Sequence, residues 1–246
     1  MKKKFELLRS ESIRVNNRVL YRIIATRDFG DVKAGQKGGY VEGEYNLSHD
    51  GAAWIYDEAK VYGTAEVSDD ARIFDGAIVK GSAKIKGKAE VSENAIVDGP
   101  VFVFNSKISG SAKVLDFAEI INSCVRDYAI VRGEVKAHCA DISGRADVCD
   151  RVRLEGKTNS TAYFGLVGES AIVKVYGNAR VYGDARIFGN AEIFDNASVY
   201  GNAHVYTDAR IFGNARVFEN SMVYYTVSGD AYVLGHQKVY RNGLVF

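Results

Sequence analysis

The 246-residue chain nearly balances its charge, with 32 Lys plus Arg against 31 Asp plus Glu, so no global field draws it to a nucleic acid polymer or to an anionic membrane. No apolar run reaches the roughly 18–20 residues of a spanning helix. The odd count of three cysteines (Cys124, Cys139, Cys149) excludes a simple disulfide framework and suits a reducing compartment. Glu6 and Arg9 interrupt what a signal peptide would need as its apolar core, so a cytoplasmic location is expected.

Residues 1–47 read as a small N-terminal β cap. Ile13 to Ala25 has the pattern of a hairpin around Asn16-Asn17, a pair that tolerates the positive φ of a tight turn. The Gly-rich run GDVKAGQKGG lacks the Gly-Lys-Ser/Thr ending of a phosphate loop and is expected to form turn and cap. From residue 48 onward aliphatic residues recur every six, at Ile55, Val61, Val67, Ile73, Val79, Ile85, Val91 and Val97, and all but the last are followed four residues later by Ala.

A period of six fits neither the 3.6 of a helix nor the 2 of an alternating strand. It is a strand plus a corner. The aliphatic residue points inward mid-strand, its two neighbours point out, Gly and Asn/Asp turn the corner, and Ala fills the crowded interior behind it. The expectation for 48–246 is an all-β, single-stranded parallel β-helix of hexapeptide repeats, with three sides to a coil.

Between about Asp98 and Ser170 the repeat slips, Val125 arriving one residue early, and an irregular loop is expected at about 156–170. Cys124 falls at the inward Ala position of an unslipped count, which predicts core packing. From Val175 to Val223 the repeat is most uniform; after it the register jumps to Val227, Val233, Val239 and Val245, a last strand running to the C-terminus. Residues 18 apart are expected to stack. Asn178, Asn196 and Asn214 then form a corner ladder, and each face shows an outward aromatic row: Tyr176, Phe194 and Phe212; Tyr182, Tyr200 and Phe218; Phe188, Tyr206 and Tyr224. Rows of that size imply self-association.

This repeat resembles the left-handed β-helix hexapeptide superfamily, over about four-fifths of the chain. DVKAGQKGGYV at Asp31–Val41, NLS at Asn46–Ser48 and WIYDEA at Trp54–Ala59 resemble the opening module of YdcK-type hexapeptide-repeat proteins of bacteria, in places phage-associated, which carry a transferase designation. The resemblance implies a left-handed coil and a homotrimer, in the cytoplasm of a bacterium or an infected host cell. It also implies a second function: acyl or acetyl transfer from acyl-coenzyme A with a histidine as general base.

His204 and His138 are the candidates for that base. His204 lies among Arg186, Phe188 and Tyr206, whereas His138 has no Asp or Glu at a recognisable spacing. No CxxC or HxxxH pair supports a metal site. The uniform repeat argues against a dedicated catalytic pocket, and the function expected first is a homotrimeric binding scaffold that holds or sequesters a small anionic, nucleotide-like ligand in intersubunit grooves. Arg180, Tyr182, Arg186, Phe188, His204, Tyr206 and Arg216 are the expected binding residues, because Arg reads phosphate bidentately and aromatic faces stack on planar groups. No cofactor is required for binding; coenzyme A enters only with the acyltransferase reading.

Overall fold

The computed structural model describes residues 3–157, 170–241 and 243–245, so residues 158–169 of the expected irregular loop lie outside the described residues. The protein is a parallel β-helix with an N-terminal β-sheet cap. It divides into two compact units, residues 1–117 and 118–246.

In unit one the cap begins with β1 (Phe5–Val15) and β2 (Arg18–Ala25), an antiparallel hairpin turned at Asn16 with φ 52°. The Gly-rich run divides: its first half turns, and β3 (Lys37–Val41) is a strand. β3 pairs antiparallel with β2 on one side and parallel with Lys60–Val61 on the other. That strand converts the hairpin into the first side of the β-helix and so covers an edge that would otherwise invite pairing with another chain. A Cβ at Gly38 would lie 2.5 Å from the Ile55 carbonyl oxygen and 2.7 Å from the Trp54 ring, so only glycine lets β3 lie this close.

Beneath the cap Lys4 is fully buried; its Nζ donates to the Ala53 carbonyl at 2.9 Å and lies 5.0 Å from the Phe29 ring centroid. His49 stacks on Phe5 at 4.4 Å, and its Nδ1 accepts the Lys4 backbone N–H. It is thus a cap residue.

The inward positions behave as the period demands. Ile55 through Val97 in unit one, and Val175 through Val217 with their alanines in unit two, are fully buried, and Ser221 closes the alanine series as a buried hydroxyl. Corners carry a residue at positive φ, and side chains at and beside it tie successive coils. The Asp195 carboxylate (φ 58°) accepts the Gly213 N–H at 3.2 Å, and Asn178 donates to Asn196 and Asn196 to Asn214 at 3.1 and 3.3 Å.

The slips are shortened coils. Lys84 faces Phe102, 18 residues on, but Glu90 faces Lys107 and Glu119 faces Lys136, each 17 on. This corrects the reading of Cys124. With only five residues from Ile120 to Val125, Ser123 takes the inward corner, its hydroxyl donating to the Ala137 carbonyl at 3.0 Å, and Cys124 is turned outward and exposed. A second correction concerns the end of the chain: Gly243–Val245 does not continue the coil but folds back antiparallel on Lys238–Tyr240.

Two outcomes test this packing. Ile193→Ala is expected to cost about 2–5 kcal/mol in denaturant unfolding, because close-packed neighbours cannot collapse into the cavity. Burial lowers the Lys4 pKa from 10.5 to about 8. Between those values the unfolded chain binds more protons, so this contribution to stability is absent below the folded value, grows as pH rises and is complete above the unfolded value. Unfolding at about pH 7.5 and 9.5 is expected to show a gain on the order of 1–2 kcal/mol that Lys4→Met lacks.

Candidate functional site

Each strand of unit two exposes the residue before and the residue after its inward aliphatic, and stacking turns these into columns. Three faces result. The first holds Glu119–Ile121, Lys136–His138, Arg153–Glu155, Arg186–Phe188, His204–Val205, Met222–Val223 and Lys238–Tyr240; the second holds Cys124–Val125, Ala140–Ile142, Val173–Val175, Glu192–Ile193 and Arg210–Ile211. The third holds Ile130–Val131, Asp147–Val148, Arg180–Val181, Ser198–Val199, Arg216–Val217 and Tyr232–Val233. The expected binding residues therefore divide. Arg180, Tyr182 and Arg216 stand on the third face, and Arg186, Phe188, His204 and Tyr206 on the first.

On the third face the register runs Asp147, Arg180, Ser198, Arg216, Tyr232. One small residue thus sits between two arginines. Asp147 is engaged by Arg132 at 2.9 Å, Arg216 lies 5.5 Å over the Tyr232 ring, and among the described residues no carboxylate reaches ion-pair distance of Arg180 or Arg216. The Asn178–Asn196–Asn214 amide ladder forms the other wall of a groove of about 810 Å³. Each amide in it donates one N–H to the next, the last to Asp230 at 2.9 Å; Arg145, Asp147 and Asp230 also line the groove, and Arg180, Ser198 and Arg216 are its stacked donors on the third face.

The aromatic rows stack on themselves. Tyr182 and Tyr200 lie 4.7 Å apart at 2°, Tyr200 and Phe218 4.9 Å apart at 1°, and Tyr206 and Tyr224 4.6 Å apart at 6°. Inside a row the ring faces cover one another, which leaves edges and hydroxyls for other partners. Tyr232, 53% exposed, stands outside the rows.

On the first face His204 Nδ1 lies 2.9 Å from the Tyr206 hydroxyl, and among the described residues no carboxylate pairs with it; burial, then the Arg186 charge, push its pKa down. His138 differs. Its Nε2 lies 2.6 Å from Glu119 Oε1, and Lys136 approaches the other oxygen at 3.8 Å. Glu119 escaped the sequence reading because it comes from the preceding coil, and only the 17-residue coil brings Glu119 opposite Lys136, two residues before His138. Cys139, next in sequence, is buried at φ 53°, and burial raises its thiol pKa, which does not suit a nucleophile. Among the described residues no group of His, Cys, Asp and Glu is placed to hold a metal ion, and no helix is long and apolar enough to cross a membrane.

Residues 174–187 and 209–225 match the model of the YdcK β-solenoid repeat. Both matches fall at the two ends of the uniform stretch. An uncharacterized acetyltransferase YdcK of Escherichia coli (strain K12) is 45% identical over 53 residues, which are 21% of this chain and 16% of that protein. The chain's match thus spans less than a fifth of that relative's length. A UDP-N-acetylglucosamine acyltransferase from Campylobacter jejuni aligns over 60% of this chain and 67% of its own at 14% identity, with a TM-score of 0.43. The YdcK repeat matched here contributes Arg180, Tyr182, Arg186 and Arg216 from its outward positions.

His204 is expected to titrate below the usual 6.5, and Arg186→Gln to move its NMR-followed midpoint upward, since removing a nearby positive charge eases protonation.

Proposed function

We propose that this protein is a binding scaffold for a small anionic, nucleotide-like ligand, held on the third face by Arg180 and Arg216 across Ser198. The observation that carries the reading is the notch itself: two arginines that have no carboxylate at ion-pair distance among the described residues flank a short hydroxyl side chain in the groove along the amide ladder. Long guanidinium side chains from either side can converge on one phosphate, each through two N–H donors, with the Ser198 hydroxyl beneath. The exposed ring of Tyr232, at the end of the groove, suits a planar base. In the proposed assembly three copies associate through their outward aromatic rows, so that a neighbour closes the groove; the scaffold sequesters its ligand in the cytoplasm and needs no cofactor.

A second reading has its own observation, the His138–Glu119 contact at 2.6 Å. In it Glu119 orients the imidazole, and the other ring nitrogen takes the proton of an acceptor hydroxyl or amine as that group attacks the thioester carbonyl of acyl-coenzyme A; the C–S bond then breaks and the imidazolium returns the proton to the departing coenzyme A thiolate. The name of the E. coli relative supports this class of reaction.

Release of bound small molecules from the purified, denatured protein, read by mass spectrometry, separates the two. Binding predicts a retained anion, recovered unchanged after incubation, and a loss of ADP affinity of about tenfold or more in the Arg180→Gln/Arg216→Gln double variant, because each charge-assisted hydrogen bond contributes roughly 1.5–3 kcal/mol. Acetyl-coenzyme A turnover abolished by His138→Ala and untouched by the double variant would replace the first reading with the second.

A further inference from the structure

The first and second faces treat charge in opposite ways. On the second, the column before the inward aliphatic runs Asp141, Lys174, Glu192, Arg210. Signs alternate, and the stacked neighbours pair, Lys174 with Glu192 at 2.9 Å and Arg210 with the same carboxylate at 3.2 Å. On the first face the corresponding column runs Lys136, Arg153, Arg186, in direct register. Three cations follow one another at the coil spacing of about 4.8 Å.

Like charges directly opposite one another destabilise a sheet, and this chain has shown on the next face that it can alternate them. Among the described residues no carboxylate reaches ion-pair distance of Arg153 or Arg186, and Glu119, 3.8 Å from Lys136, is held by His138. The charge of Arg186 is felt by its neighbour, since it contributes to the lowered pKa of His204.

We infer that Lys136, Arg153 and Arg186 form a second anion site, on the first face, for a compact polyanion of the pyrophosphate class. The column is short. Glu119 lies at one end and the uncharged Met222 beyond His204 at the other, so it fits two adjacent phosphoryl groups better than the backbone of a nucleic acid polymer. Two forks and an ammonium supply the donors, and the ligand relieves the repulsion among the three stacked cations. This site shares no residue with the Arg180–Ser198–Arg216 notch and does not rest on that reading.

Thermal unfolding of the full chain at low ionic strength tests it, with inorganic pyrophosphate as probe and sodium chloride at matched ionic strength as control. Pyrophosphate is expected to raise the midpoint of the wild type by about 2–6 °C beyond the chloride control. Arg186→Gln, a change at an exposed position, is expected to raise the midpoint without pyrophosphate, by relief of repulsion, and to lose most of the shift; Arg153→Gln should do the same, and Arg180→Gln/Arg216→Gln should keep the shift. The inference fails if chloride reproduces the shift, since screening then explains it. It fails equally if Arg153→Gln and Arg186→Gln retain the shift, if the third-face double variant abolishes it, or if a short oligonucleotide stabilises more than pyrophosphate does.

Discussion

Parallel stacking of each coil on the one before ties every outward residue to its counterparts above and below at the hydrogen-bonding distance between strands. The inward Val, Ile and Ala positions create that constraint, because large aliphatic residues stack mid-strand and small ones stack at the corners, Ala137 between Ile120 and Leu154 being an exception. Once they do, the surface has no freedom of register. A tyrosine lies over a tyrosine, an amide over an amide, and a charge over whatever charge the neighbouring coil supplies. The Tyr182–Tyr200–Phe218 row and the Asn178–Asn196–Asn214 ladder are both products of the same core.

Chemistry in such a molecule arises where a column departs from its own pattern. Ser198 matters because arginines flank it, and the Lys136–Arg153–Arg186 run because the second face alternates. His138 matters because a shortened coil sets a carboxylate against it. None of these residues is unusual by type. Their meaning comes from the residue stacked on each, which is why the third-face notch and the His138–Glu119 pair carry the two different readings proposed above.

The fold was legible to the extent that the period was unbroken. Val175 to Val223 needed no correction, since a strict six-residue spacing assigns each position to inside, outside or corner. Errors began where the count slipped. An unslipped count put Cys124 inside, whereas the five residues from Ile120 to Val125 turn it outward and bring in Ser123. Glu119 was invisible as a partner of His138 for the same reason.

The sequence by itself determined the strand-and-corner period, the inward residues, the amide ladder and the aromatic rows, because each follows from local spacing and from side-chain size and conformational preference. Tertiary structure alone decided which column each coil continues: 18 residues in some coils, 17 in others, 16 where Arg216 meets Tyr232, and 33 where Asp147 meets Arg180. It separated Arg180 and Arg216 from Arg186 and His204 onto different faces, turned ring faces toward one another, and folded Gly243–Val245 back on its neighbour. The physical reason is that a coil closes by hydrogen bonding and core packing, which tolerate a residue gained or lost at a corner. Spacing along the chain does not record which choice each corner made.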